Sequence, residues 1–295
     1  MKFKGYLYGC LSSAAYGLIP LFALPIMRKG MDIDSILSYR FTCASLVMCL
    51  MLILRGVSLK ITKKELGIMV LLGLMFSSSS QFLFLGYNYL SVGVASTILF
   101  IYPVFVALIM YAVFKEKISY ITQLAILAAF TGVAFLYIGD ESTGHLSVLG
   151  VGIIMLSALS YGLYMIIVNK SCVKEMNGTK LTFYAMMFSA FFFTLKALIT
   201  DGQIESFPDY SSVLNLILLA TIPTAVSGIA MVYAVQYVGS TATAVLGAME
   251  PVTAVLVGIF AFSEPFTANL AIGIFLIIGA VTLIVLADSI KKLKQ

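Results

Sequence analysis

The stretch VLGAMEPVTAVLVGIF, residues 245–260, sets Glu250 and Pro251 side by side in an otherwise apolar run of membrane-spanning length. A carboxylate at the centre of a bilayer costs roughly 2.5 to 3.5 kcal/mol on insertion scales, and a proline there cannot serve the carbonyl four residues back, that of Gly247. Something must offset both. Glu250 has a structural reading, as a protonated group bonded to a carbonyl that the proline loosens. It also has a functional one, as the partner of a substrate ammonium or the carrier of a coupling proton.

Other polar and aromatic residues recur at helical spacing within apolar stretches. Ser13, Tyr16 and Pro20 share one face, and Ser157, Ser160, Tyr161 and Tyr164 follow the i, i+3, i+4, i+7 pattern of another. Ser77 and Gln81 stand one turn apart in SSSSQ, with Asn88 two turns on, while Ser227 follows Pro223 and Thr224. In lipid such groups need partners inside the bundle, so each faces either a cavity or a close helix contact. Tyr16, Ser77, Gln81, Tyr102, Ser157, Tyr161, Ser227 and Glu250 form the candidate substrate-binding set, with Glu250 also the candidate proton carrier. Arg40, about two turns inside its span, either binds a substrate carboxylate or snorkels to carbonyls or to Asp32 or Asp34. Lys196 reads as a snorkelling anchor.

The elements that position these residues are membrane helices. Of 295 residues, 61% are hydrophobic and 11% charged, against about 25% charged in soluble domains. Mean hydropathy of +1.06 extends along the whole chain. Ten apolar runs stand at 5–27, 33–54, 66–87, 92–114, 119–138, 147–169, 180–200, 212–236, 240–262 and 266–287. They are too long and too evenly apolar for barrel strands, so an all-α membrane protein of ten transmembrane helices is expected. The first run is longer than a signal-peptide core and lacks a clear cleavage site, so it reads as a retained helix.

Basic residues alternate between the two sides. With the N-terminus inside, the clusters at Lys2–Lys4, Arg55–Lys64, Lys115–Lys117, Lys170–Lys180 and Lys291–Lys294 face the cytoplasm, leaving only Arg28 and Lys29 outside. Both termini are therefore expected in the cytoplasm, and the net charge of +5 reports orientation rather than a nucleic-acid partner. Cys10, Cys43, Cys49 and Cys172 have neither paired nor CxxC spacing and read as packing residues.

The chain also repeats itself. The segment from Ala95, ASTILFIYPVFVALIMYAVFKEKIS, aligns with TATAVLGAMEPVTAVLVGIFAFSEPFT so that Pro103 meets Pro251, Glu116 meets Glu264 and Tyr102 meets Glu250. At the same offset Ser79 meets Ser227, and Tyr16-Gly17 meets Tyr161-Gly162 at a slightly smaller one. Two halves of five spans follow, 1–143 and 144–295; because five is odd, the second is inverted relative to the first. Tyr102 and Glu250 should then approach one central region from opposite helices. Pro103 and Pro251 read as kinks, and Glu116 and Glu264 as structural groups capping or clamping the tight turns into spans 5 and 10.

These features resemble the EamA family of the drug/metabolite transporter superfamily over essentially the whole chain. The resemblance is carried by the paired Pro103…Glu116 and Pro251…Glu264 motifs, Arg40 in the second span and small-residue fifth spans around Gly132 and Gly279. It implies export or exchange of small metabolites, often amino acids, across a bacterial inner membrane. It further implies a central cavity between spans 1, 3, 4, 6, 8 and 9, with spans 5 and 10 as scaffold.

Rival chemistries lack their residues. An intramembrane enzyme needs HExxH, a Ser–His pair or convergent aspartates, but the single histidine, His145, lies in a polar loop and no aspartate falls mid-span. No GxxxxGK[ST] loop supports ATP drive, and no metal or cofactor motif is present. The expectation is cofactor-free transport of a small organic metabolite by alternating access, with protons as candidate coupling ion. A channel would instead pass solute without saturation.

Overall fold

The computed structural model describes residues 2–115, 120–138, 147–200 and 202–293, and these form helices, turns and loops without a strand. In chain order the helices are α1 (Lys2–Tyr16), α2 (Ile19–Met27), α3 (Ile33–Leu54), α4 (Lys63–Gly86), α5 (Val92–Leu99), α6 (Tyr102–Ala112), α7 (Tyr120–Ile138), α8 (Val148–Lys170), α9 (Gly178–Thr200), α10 (Tyr210–Ala220), α11 (Ser227–Leu246), α12 (Met249–Phe262) and α13 (Ala268–Leu293). Seven helical segments are long and apolar enough to cross a membrane: Phe3–Met27, Ile33–Leu54, Lys63–Gly86, Val92–Ala112, Val148–Lys170, Gly178–Thr200 and Tyr210–Met231. Tyr120–Leu136, Met249–Phe262 and Ala268–Leu283 are shorter apolar helices.

Loop residues start the helices by serving amides that have no partner within them. Asp32 accepts from the Ser35 N–H at 3.0 Å at the head of α3, and Thr62 and Glu65 cap α4 reciprocally. Ser91, Ser147 and Asp209 do the same for α5, α8 and α10.

Breaks coincide with prolines. α1 gives way to α2 at Gly17–Leu18, α5 to α6 at Phe100–Ile101, and α11 to α12 at Gly247–Ala248. Pro20, Pro103 and Pro251 thus stand in the first turn of a restarted helix, where a missing N–H does least damage. The Gly247 carbonyl, beyond the reach of Pro251, accepts from the Glu250 N–H at 3.0 Å. Pro223 is accommodated differently. Residues Thr221–Val226 wind as a π-helix, and the Thr224 hydroxyl donates at 2.8 Å to the Leu219 carbonyl, which Pro223 cannot serve.

α11 runs through the boundary expected between residues 236 and 240, and the contacts of this part of the chain with α1 change sense along it. Going along α1 from Ser12 toward Gly5, the contacts are with Ser227, Tyr233 and then Val238; Leu246, however, abuts Gly9, and Glu250 abuts Gly17. The first set runs antiparallel to α1 and the second parallel.

α1 packs on α11 and α8 on α4; α3 pairs with α9, α5 with α12, and α7 with α13. α7 and α13 approach closely at Gly132 and Gly273, where a Cβ on either would lie 3.0 Å from the other's carbonyl oxygen. Gly279, farther along α13, has open space where a Cβ would stand. At the α2–α3 end, polar contacts tie the loop before α10 to α3: Lys29 pairs with Asp209 at 2.6 Å, and Glu205 accepts from the Asp32 N–H at 2.6 Å. Lys196 does not simply snorkel, because its ammonium pairs with the buried Asp34 at 2.8 Å.

Candidate functional site

Glu250 stands in the first turn of α12, where the helix dipole favours a negative charge. Its face of the helix is shared by Ala254 and Val257, 0% and 8% exposed, whereas Met249, Leu256 and Phe260 on the far side are exposed. Glu250 therefore points into the bundle, yet it is only partly buried. Tyr16, Tyr87, Tyr102 and Tyr161 all lie within electrostatic range of its carboxylate. Among the described residues the carboxylate has no hydrogen-bond or ion-pair partner.

The rings around it come from four parts of the chain. Tyr16 ends α1, Tyr87 follows α4, Tyr102 begins α6, and Tyr161 and Tyr164 sit in mid-α8. Tyr102 meets Tyr161 edge-on with centroids 4.7 Å apart, and Tyr161 stacks on Tyr164 at 5.9 Å. Phe76 of α4 closes the group at 5.4 Å from Tyr164. Like Glu250, Tyr16, Tyr102, Tyr161 and Tyr164 keep part of their surface accessible. Two glycines allow the helices to meet here. A Cβ at Gly17 would lie 2.5 Å from the Glu250 carbonyl oxygen, and one at Gly162 would lie 3.4 Å from that of Tyr102.

Arg40 lies close by but is sealed, at 1% exposure. Its Nε donates to the Thr224 hydroxyl at 3.0 Å, its guanidinium lies 5.1 Å from the Phe41 ring, and the Tyr16 and Tyr87 hydroxyls adjoin it. Neither Asp32 nor Asp34 is its partner: Asp32 caps α3 and Asp34 holds Lys196. Through Thr224, Arg40 supports the carbonyl that Pro223 leaves open.

The serines of the candidate set are engaged with backbone. Ser157 donates to the Ser79 carbonyl at 2.7 Å, Ser227 accepts from Ser12 through its own carbonyl at 2.8 Å, and Ser77 bonds the Leu74 carbonyl of its own helix at 2.9 Å. All three are buried; the bonds at Ser157 and Ser227 join helices, and that of Ser77 stays within α4. Among the described residues the buried side-chain oxygen of Gln81 has no partner.

Glu264 does not clamp the turn into α13. It reaches across to the head of α5, accepting from the Val92 and Gly93 N–H groups at 2.7 and 3.2 Å, with Gly258 leaving room for the carboxylate. Glu116 and His145 lie outside the described residues, but Lys115, just before Glu116, has a left-handed backbone at φ 55°, matching Ser263 before Glu264 at φ 57°. A pocket of about 220 Å³ between Arg28, Asn88 and Glu264 has Tyr87 in its wall and so borders the aromatic group. Among the described residues no cluster of His, Cys, Asp and Glu could hold a metal.

Sequence reasoning missed Tyr87 and Phe76. Phe76 on α4 and Tyr87 just past its end stand eleven residues, about three turns, apart, a spacing available in the sequence but masked by the four consecutive serines between them.

A model of the EamA-like transporter family matches residues 3–138 and 148–286. An uncharacterized transporter of Archaeoglobus fulgidus is 25% identical over 252 residues, 85% of this chain and 88% of that protein. A solved crystal structure superposes with a TM-score of 0.70 at 16% identity, over 96% of this chain and 98% of that one, a likeness of fold.

Proposed function

Because the chain belongs to the EamA-like transporter family, we propose that it is a secondary transporter moving small organic metabolites, amino acids and related compounds among them, by alternating access, as an exporter. The observation that carries this reading is a partly exposed carboxylate, Glu250, inside an apolar bundle and ringed by tyrosines from α1, α6 and α8. A purely structural carboxylate would be sealed and hydrogen-bonded. Tyr16, Tyr102, Tyr161 and Glu250 contact the solute, Glu250 carries the coupling proton, and Arg40, Pro103, Pro251 and Glu264 keep the surrounding helices in shape.

The moving parts are two inverted halves of five spans, 1–143 and 144–295. Support comes from contacts that recur between them. Ser12 bonds Ser227 as Ser157 bonds Ser79, Gly17 meets Glu250 as Gly162 meets Tyr102, and Lys115 and Ser263 share one unusual backbone conformation. The halves rock about the centre to expose it to either side. With the basic clusters inside, both termini are cytoplasmic and the membrane is a bacterial inner membrane.

The test is counterflow in proteoliposomes against a panel of amino acids, amines and sugars. Saturable exchange competed by the amino compounds is the expected result. Non-saturating flux would make the protein a channel, and no exchange with any solute would overturn the reading. Orientation is read by Ser142→Cys and Lys174→Cys in a cysteine-free background, labelled by an impermeant reagent from outside and inside respectively.

A further inference from the structure

We propose that the central group of rings recognises an organic cation, a primary to quaternary ammonium held against Glu250 among Tyr16, Tyr102 and Tyr161, and that it requires no carboxylate on its ligand. This rests on the transport-site reading of the centre and narrows its substrate class.

The carrying observation is an asymmetry of access between the two opposite charges in the middle of the bundle. Arg40 is 1% exposed, bonded to Thr224 and flanked by Phe41 and by the Tyr16 and Tyr87 hydroxyls, so its charge is already spent on the protein. Among the described residues no other lysine or arginine is buried. Glu250 has the reverse character, with accessible surface and no partner among the described residues. Among the described residues of this centre the positive group is sealed behind Tyr16 and Tyr87, and a ligand therefore meets one accessible negative group. An ammonium satisfies it; a carboxylate would sit beside a like charge in a medium that screens it poorly.

The walls fit the same ligand. Aromatic faces attract cations through their quadrupoles, and more strongly where water is excluded. The edge-on Tyr102–Tyr161 pair and the stacked Tyr161–Tyr164 pair set rings at different angles within one group, as a cation with several substituents needs. For a free amino acid, only the ammonium finds a counterpart, so its amide, its ester or its decarboxylated amine should bind better than the parent zwitterion.

The experiment is equilibrium binding to the purified full-length protein with four probes that share an aromatic ring: tyramine, tyrosine, 4-hydroxyphenylpropionate and benzyltrimethylammonium. The expected order is tyramine and benzyltrimethylammonium tightest, tyrosine at least about tenfold weaker, and the acid without detectable binding. Glu250→Gln should weaken both cations by about tenfold or more, Tyr102→Phe should retain them, and Tyr102→Leu should lose about tenfold. The comparison of amine with acid needs no variant and so stands even where a substitution fails to fold. Acid binding as tight as amine, or no binding of either cation, would overturn the proposal. Counterflow with the wider metabolite panel, run alongside, separates that outcome from failure of the transporter reading itself.

Discussion

The Ser157 hydroxyl donates to the Ser79 carbonyl at 2.7 Å and so bolts α8 to α4. Ser12 makes the equivalent bond to the Ser227 carbonyl at 2.8 Å between α1 and α11, and in each pair the two hydroxyls also approach, to 3.2 and 3.4 Å. Interhelical bonds of this kind contribute roughly 0.6 kcal/mol on average and up to about 1.7 in membranes. Ser157→Ala and Ser12→Ala are each expected to lower stability by an amount in that range while solute affinity holds. The double variant should lose the sum, because the pairs share no partner. Thermal unfolding and binding on the same samples check this; a loss of affinity at unchanged stability would return Ser157 to the solute-contacting set.

The Arg40–Thr224–Leu219 chain makes a second case. Thr224→Val keeps shape but strips the hydroxyl that accepts from Arg40 and donates to the Leu219 carbonyl. Leaving a buried donor and acceptor without partners costs about 1 to 3 kcal/mol, more beside a charge. Thr224→Ser should restore most of that loss. Equal stability of the Val variant and the native protein would mean that the π-helical turn does not depend on this bond.

Much of the fold was legible in the sequence because apolar run length and proline position are strong signals in lipid. Every apolar run became helix, and three prolines mark the restarts of α2, α6 and α12. The long-range pairing of Glu264 with the head of α5 was not legible, since local spacing pointed to the nearby turn and nothing in one chain reports that α5 and α12 pack together. The site divides in the same way. Tyr16, Tyr102, Tyr161 and Glu250 converge where the repeat pairs Tyr102 with Glu250. Ser77 and Ser157 give their hydroxyls to backbone carbonyls, and the Ser227 carbonyl receives the Ser12 hydroxyl; a hydroxyl satisfies a carbonyl as readily as a ligand, a choice that periodicity cannot read.

Glu264→Gln tests the cap of α5. The native carboxylate accepts from two N–H groups at the positive end of that helix. The amide keeps one acceptor oxygen and loses the charge, so a stability loss of roughly 0.5 to 2 kcal/mol is expected, with Glu264→Ala losing more. Unfolding measured for both variants decides it, and no difference between Gln and native would show that the charge contributes nothing.

Asp209 gives the pH dependence at the membrane surface. Hydrogen bonds from Lys29 and Ser212 hold its carboxyl below the ordinary 3.8, at about 2. A carboxyl depressed on folding stabilises above its unfolded value, and that contribution fades as pH falls through the folded one. Native protein should therefore exceed Asp209→Asn in stability at neutral pH, and the gap should close between about pH 4 and pH 2. A gap independent of pH would assign the difference to the geometry of the α10 cap rather than to charge.

The last prediction concerns the carboxylate and proline of the 245–260 stretch. Pro251 is not lodged in mid-helix: α11 ends at Leu246, α12 begins at Met249, and the Gly247 carbonyl finds the Glu250 N–H at 3.0 Å. The break lets Glu250 occupy a helix N-terminus inside the bundle, where the dipole offsets part of its burial and the ring of tyrosines leaves it accessible. Glu250→Gln preserves size and hydrogen bonding but abolishes titration. The variant should lose proton-driven accumulation and the pH dependence of transport. At solute concentrations raised about tenfold to offset weaker binding, it should still exchange solute between equal pools on the two sides. Accumulation assays with an imposed proton gradient, paired with exchange without one, separate the two. A variant that accumulates solute normally would exclude Glu250 as the proton carrier; one that binds and exchanges at native affinity would also remove it from the solute site, leaving a structural carboxylate at the head of α12.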